Sequence, residues 1–423
     1  RAFGVLWLGA LVSNIGTWME TVSIGIFVTQ TTGKAGWTGT VAALMYLPAF
    51  VLGPIGGALA DRFDRKRYVA TGTVAQFLLA AAMTTLAFTG HLSVAAIGVL
   101  AMLAGCVSAL ASPAFTALLT DIVEREDLHS AFSLNSAQYN VGRVLGPMLA
   151  APILAYFSVG AAFAVNTMSF VAVLLAIAGL GVIHSVLPSH PEPLLEGIRN
   201  GVRAAREDKG ILFALSGTLV IAVLISPFIG LVPVMAIKVL HGGEKESSLL
   251  VSCQGLGAVS AALVAGSLAD WLGRRRMLEY SAMGGGVIAA LYWMSPRFVF
   301  AGGALFFLGA AYLLMITGLN TVAQTRAPNG LQARVSSLFS VTLGGGYAIG
   351  VLAQGWLGDQ VGQRAIAVAC ALLFLGVVFW ARAALPEHLA AMEGTGASMA
   401  NEATRPVPTL DGPADPATLH DES

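Results

Sequence analysis

Twelve long apolar runs, parted by short polar breaks, leave this chain few folds to choose from. They lie roughly at 3–30, 37–60, 67–90, 92–115, 131–157, 158–183, 211–239, 247–269, 276–295, 298–322, 334–357 and 363–385. Turn signals separate them, among them Thr32-Gly33-Lys34, Gly90-His91, His241-Gly242-Gly243 and Ser295-Pro296. About 20 apolar residues in a helix cross a bilayer's hydrocarbon core. Lipid offers backbone groups no hydrogen-bond partner, so spanning segments must be helical. Only 11% of the 423 residues are charged, against about 25% in a soluble domain. Apolar residues make up 56%, nearly enough for twelve spans, and Gly, Ser and Thr fill the remainder where membrane helices touch. The expected fold class is an all-α polytopic membrane protein with twelve transmembrane helices. An ordinary soluble globule, a disordered chain and a fibrous repeat are excluded. The first run is too long for a signal-peptide core and has no small-residue cleavage site. The chain opens on Arg1 rather than Met, which predicts that a few N-terminal residues are missing.

Lys and Arg number 23, as do Asp and Glu, so no basic footprint for nucleic acid exists. Cys106, Cys253 and Cys370 sit in apolar runs at no paired spacing, which predicts neither a disulfide framework nor a zinc site. All seven histidines fall at loops, span ends or the tail, so no intramembrane metal and no cofactor are expected. With the N-terminus inside, seventeen Lys and Arg face the cytoplasm and five the outside. That asymmetry predicts both termini cytoplasmic. Residues 184–210 begin Pro-rich, then place Ile198, Val202 and Ala205 at helical spacing among charges. They read as a cytoplasmic linker with an amphipathic helix. The expected organisation is a first bundle over 1–183, this linker, a second bundle over 211–385 and a disordered cytoplasmic tail over 386–423.

The two halves share a motif. Gly57-Ala-Leu-Ala-Asp61-Arg62-Phe-Asp-Arg65-Lys66-Arg67 follows the second span, and Gly266-Ser-Leu-Ala-Asp270-Trp-Leu-Gly-Arg274-Arg275-Arg276 follows the eighth, 209 residues on. Both read small-x-Leu-Ala-Asp with a basic cluster in the same loop of each half. Here the sequence resembles the major facilitator superfamily, whose signature loop this motif matches. Ser13-Asn-Ile-Gly16-Thr-Trp18-Met in span one, and Asn320, Gln324, Pro328 and Ala333-Arg334-Val335, are similar to the bacterial drug:proton antiporter branch of enterobactin-exporter-like and macrolide-efflux-like proteins. Gly142-Arg-Val-Leu-Gly146-Pro147-Met-Leu-Ala150 resembles the exporters' glycine-proline motif, with Ala150 where Gly is usual. The arginine motif some drug exporters carry in span four is missing, since residues 92–115 hold no charge. The resemblance implies two pseudo-symmetric six-helix bundles, a monomer in the bacterial cytoplasmic membrane, and a small-molecule substrate exchanged against protons across the lipid bilayer. It also implies that Gly57, Asp61, Arg62 and Arg65, with Gly266, Asp270 and Arg274 as counterparts, gate the inner side and stabilise the outward-facing state.

Glu20 is the only acid near the middle of a span. A charge there costs about 2.5–3.5 kcal/mol, so such residues face a cavity and carry function. Ser13, Thr17, Glu20 and Ile24 follow helical spacing, with Asn14 and Thr21 beside them, giving an inward polar stripe. Glu20 is a candidate proton carrier; packing glue between helices is the alternative. Arg143 lies about twelve residues into span five, on a stripe with Asn135, Gln138, Tyr139 and Asn140. It always stays charged. It either holds an anion or modulates Glu20 in a cavity, or is a structural arginine neutralised by carbonyls or by Glu20. Sequence leaves open whether Glu20 and Arg143 touch. Phe228, Gln254, Tyr312, Asn320 and Gln324 are candidate cavity linings in the second half. Gly142, Gly146 and Pro147 are expected at a close helix contact or bend.

The expected function is export of a hydrophobic drug-like compound or siderophore by alternating access, driven by protons, since no phosphate-binding Gly-x-x-x-x-Gly-Lys-Ser/Thr loop is present. Proton-coupled uptake of a metabolite is the rival within transport. A non-transporting sensor or a membrane enzyme are rivals outside it, but the chain lacks His-Glu-x-x-His, Gly-x-Ser-x-Gly and any intramembrane histidine, so an enzyme is not expected.

Overall fold

The structure is a computed structural model that describes residues 2–60, 62–181, 194–328 and 331–387. The Pro-rich start of the expected 184–210 linker, the motif acid Asp61 and the tail from 388 lie outside the described residues. The first bundle comprises α1 (Ala2–Thr32), α2 (Ala35–Ala60), α3 (Arg65–Phe88), α4 (Val94–Ile122), α5 (Leu128–Tyr156) and α6 (Val159–Gly179). A connecting helix α7 (Leu194–Glu207) follows. The second bundle comprises α8 (Lys209–Leu224) with α9 (Phe228–Val234), then α10 (Glu244–Leu272), α11 (Arg274–Met294), α12 (Phe298–Arg326), α13 (Gln332–Val361) and α14 (Gln363–Ala384). Ten of these segments, counting 209–239 as one, are long and apolar enough to cross a membrane. α5 and α11 complete the twelve; Arg143 with its Asn and Gln neighbours dilutes one, three arginines and Glu279 the other.

Packing repeats the sequence symmetry. In the first bundle α1 packs on α5 and α6, α2 on α4, and α3 on α4 and α6. The second bundle shows the same pairings: α8 on α13 and α14, α10 on α12, and α11 on α12 and α14. The two largest contacts between the bundles are α2 with α13 and α5 with α10, and each maps onto the other under that symmetry; α9 adds smaller ones with α1 and α2.

Two spans differ from their expected course. Span seven is not continuous: α8 stops before Ile225, α9 follows, and a π turn runs Met235–Val239. Pro227 has no N–H, so the Val223 carbonyl loses its helical donor. Gln354 of α13 supplies one, donating through Nε2 to Val223 O and Leu224 O at 3.0 Å each. That repair from a neighbouring helix is what an apolar layer requires. The fourth helix runs on to Ile122 rather than ending near 115. Leu118 and Leu119 keep its apolar face buried, and Asp121, expected in an acidic loop, sits in its last turn paired with Arg65 at 2.6 Å.

One end of the molecule carries the clusters at 65–67 and 274–276; we call it the basic end. At the opposite end the bundles meet closely. On α2, Gly39 lies where a Cβ would come within 2.4 Å of Val351 O, and on α13 a Cβ at Gly355 would come within 2.7 Å of Ala35 O. Further along, Tyr46 stacks edge-on against Tyr347 at 5.1 Å and Phe50 covers Gly345. Gly39, Tyr46, Phe50, Gly53 and Gly57 form one helical stripe. Its last two members meet nothing within 4 Å, and neither do Gly344 on α13 and Gly266 on α10. Val51 is 58% exposed. The bundles therefore touch at the opposite end and part toward the basic end.

Candidate functional site

Close helix approach builds the site. Gly142 and Gly146 of α5 leave room for α1: a Cβ on the first would sit 2.9 Å from Asn14 Cβ, on the second 2.6 Å from Trp18 Cβ. Gly16 does the same between α1 and α6, where a Cβ would come within 2.7 Å of Asn166 Oδ1. One turn on, Glu20 therefore reaches α6, and its Oε2 accepts from Asn166 Nδ2 at 2.6 Å. Asn166 is held in turn: Ser169 donates to its backbone carbonyl at 2.6 Å and to its Oδ1 at 3.2 Å.

Glu20 lines a cavity of about 370 Å³ inside the first bundle, with Asn14, Thr17, Gln76, Gln138 and Asn166 around it. Asn14 Nδ2 donates to Gln138 Oε1 at 2.8 Å, and Gln138 Nε2 to Asn135 Oδ1 at 3.1 Å. Gln76 Nε2 donates to Ala104 O at 2.8 Å. Buried amides need such partners in a dry layer, and they leave the cavity wall polar along one side.

Arg143 occupies a second, smaller space of about 50 Å³ between the bundles, which shares Trp18, Thr21, Met45 and Tyr46 with the larger cavity. Its guanidinium lies 5.6 Å from the Trp18 ring and 6.0 Å from the Tyr312 ring. Trp18 meets Tyr139 edge-on at 5.7 Å, and Tyr312 meets Phe228 edge-on at 5.7 Å. Ser226 Oγ donates to Tyr312 Oη at 3.2 Å. Gln254 faces the same space, 2% exposed, with its Nε2 unpartnered. Glu20 and Arg143 thus occupy adjoining spaces, and no ion pair joins them.

The remaining candidates fall elsewhere. Phe228, Gln254 and Tyr312 gather at the centre, whereas Asn320 and Gln324 bond each other at 3.0 Å, two to three turns further toward the basic end of α12. Arg65 pairs with Asp121 inside its own bundle. Arg62 is exposed, and Asp270 is exposed at the end of α10 next to Arg274. Asn166, Tyr46 and Tyr347 were not singled out from sequence. Asn166 had a findable signal, being the only amide side chain in its apolar span. The tyrosines had none, since an aromatic in a span is ordinarily packing.

Residues 1–413 match the family model described as transmembrane secretion effector. The chain is 25% identical to the enterobactin exporter of Citrobacter koseri over 372 residues, 85% of this chain and 86% of that one. It is 26% identical to the staphyloferrin A transporter of Staphylococcus aureus over 275 residues, 63% and 68% of the two chains. It is 23% identical to macrolide efflux protein A of Streptococcus pyogenes over 299 residues, 70% and 73%. The fold superposes with a TM-score of 0.72 on a bacterial homolog of the lysosomal transporter Spinster in its inward-facing, unoccupied conformation, at 12% identity over 93% of this chain and 98% of that one.

Proposed function

The chain belongs to the transmembrane secretion effector family of major facilitators, and from that premise we propose that it is a proton-coupled exporter working by alternating access. It is a multi-pass membrane transporter of small molecules and not an enzyme. The relatives export siderophores and macrolides, and a compound of that kind is the substrate we assign. The basic end faces the cytoplasm by the Lys/Arg rule, in the inner membrane of a bacterium. The described state is then inward-open, the state in which an exporter loads. Bundles 1–183 and 211–385 rock about the centre, joined by the linker at 184–210 and followed by the cytoplasmic tail at 386–423. The protein works as a monomer.

One observation carries the coupling. Among the described residues Glu20 is the one carboxyl near the middle of a spanning helix, and it borders a cavity rather than an arginine. A protonatable group there can be loaded from one side and unloaded to the other as the bundles rock. One proton moving down 100 mV releases about 2.3 kcal/mol, enough for about fiftyfold accumulation of a neutral substrate. For the gating motif, Gly57 and Gly266 have nothing packed against them here and would close against the other bundle when the inner side shuts, with Arg62, Asp270 and Arg274 beside them; Asp61 lies outside the described residues.

The test is flux in proteoliposomes for enterobactin, staphyloferrin A and a macrolide. Glu20→Gln is expected to abolish the dependence of flux on a pH gradient while substrate-for-substrate exchange continues. Full pH-gradient dependence in that variant refutes proton carriage by Glu20.

A further inference from the structure

Arg143 is a permanent charge with no carboxylate against it among the described residues. What it has is two ring faces, Trp18 from the first bundle and Tyr312 from the second, at 5.6 and 6.0 Å. Ring faces return about 0.5–2 kcal/mol to a cation, and the half-buried guanidinium has no charge-assisted hydrogen bond to a carboxylate, the stronger kind of partner. The site is electrostatically incomplete. Glu20 does not complete it: it lines the adjoining cavity rather than this space, bonds Asn166 there, and makes no ion pair with Arg143. A second donor points the same way: Gln254 Nε2 is buried in the same space and has no acceptor. Hydroxyls lie nearby, on Thr21, Tyr46 and Tyr347 in the lining and on Tyr312, which accepts from Ser226, but none of them carries a negative charge. The space thus offers two donors from opposite bundles, and none of its described lining residues is a carboxylate.

We propose that this space binds the carboxylate of an organic anion whose apolar, aromatic-bearing body lies in the cavity of the first bundle. At about 50 Å³ the space fits a carboxylate group and little more. The adjoining 370 Å³ is within the usual range for ligand pockets, about 300–1,000 Å³. Trp18 and Tyr46 line both spaces and Tyr139 the larger one, supplying faces and edges for rings. Arg presents a planar fork that meets a carboxylate through two parallel hydrogen bonds, with the Trp18 ring 5.6 Å from its centre. Because Arg143 sits on α5 while Gln254 and Tyr312 sit on α10 and α12, the anion bridges the bundles and favours their closure around it. A cationic substrate meets the opposite: a fixed positive charge at the apex of its route. The inference rests on the transporter reading and narrows its substrate class from drug-like compounds in general to acids.

Equilibrium binding tests it without reference to flux. The full chain in lipid nanodiscs is titrated calorimetrically with 1-naphthoate, its neutral amide 1-naphthamide and the cation 1-naphthylmethylamine, three probes of nearly one shape and three charges. The acid is expected to bind about tenfold or more tightly than the other two, the difference a desolvated ion pair makes. Arg143→Gln is expected to remove that preference, and Arg143→Lys to restore part of it, since an ammonium keeps the charge but not the planar fork. Equal binding of the three probes by the unaltered protein overturns the proposal, as does no binding of the acid, or an acid preference that survives in a folded Arg143→Gln. If naphthoate binds as expected but no pH-gradient flux is found, proton coupling fails and the anion site stands. If a macrolide is pumped with unchanged efficiency by Arg143→Gln and naphthoate does not bind, the exporter stands and the anion site falls.

Discussion

Asp208 shows how much one carboxylate organises at the start of a membrane helix. It caps α8, accepting from Gly210 N and Ile211 N at 2.8 Å each, and receives Arg326 Nε at 2.7 Å and Nη2 at 2.8 Å. Burial pushes its carboxyl up, but the Arg326 guanidinium and the two amides together outweigh that and hold it below the usual range. A carboxyl lowered on folding contributes stability above its unfolded pKa, about 3.9, and loses it as pH falls through the folded value. Asp208→Asn keeps a capping oxygen and removes the charge. At pH 7 we expect a loss of about 1–2 kcal/mol, read as a lower melting temperature in detergent, and a gap from wild type that closes below about pH 4. A gap that stays constant with pH counts against the ion pair. The same residue scale shows what sequence makes legible. Glu20 and Arg143 stand out because a charge inside an apolar run is costly wherever it points. Asn166 and Asp208 do not, because their importance lies in partners 146 and 118 residues away, and no local pattern encodes that distance.

Apolar runs predicted twelve spans because the bilayer imposes helix on each of them, yet they say nothing about where a helix is broken and mended. Span seven is the example. Ser226-Pro227 is visible in the sequence as a breaker, but its consequence depends on Gln354, a residue of α13 with nothing unusual around it. Gly350 belongs to the same repair, since a Cβ there would come within 2.4 Å of Val223 O and hold the two helices apart. Gln354→Leu removes the donor for two carbonyls and leaves them unsatisfied in a dry layer, at a cost of about 2–4 kcal/mol. We expect a sharp fall in melting temperature and yield. Pro227→Ala, which returns an N–H to the break, should recover part of that loss in the Gln354→Leu background while doing little alone. Strictly additive effects in this double-mutant cycle would show that Gln354 and the proline break are independent.

Pseudo-symmetry of the whole molecule was legible from one repeated motif, because a loop in equivalent places requires equivalent halves. The state of the molecule was not, because both states satisfy one sequence and differ only in which half of each stripe is covered. With the basic end cytoplasmic, as proposed above, the latch of the described state is at the outer end. Asp359 of α13 accepts from Ala35 N at 2.8 Å and Gly36 N at 2.7 Å, so one bundle caps the first helix turn of the other, and Lys238 completes the cluster at 2.8 Å. Trp356 Nε1 donates to Thr40 Oγ1 at 3.1 Å beside it. A carboxylate at a helix N-terminus is favoured both by the free amides and by the helix dipole. Asp359→Asn keeps the shape and one acceptor but removes the charge that holds both sides. A loss of about 2 kcal/mol shifts the ratio of the two states about thirtyfold toward outward-open. The outer loops at His91 and Arg297, exposed and on opposite bundles, report it when both are changed to Cys, spin-labelled and measured by double electron–electron resonance in nanodiscs, with Cys106, Cys253 and Cys370 replaced. Wild type should give mainly the short outer distance. In Asp359→Asn a longer one should grow while helix content stays the same, and substrate exchange should slow because return to the loading state is no longer favoured. A distance distribution indistinguishable from wild type would mean that the glycine-lined contact of α2 with α13 closes the outer side without help from Asp359.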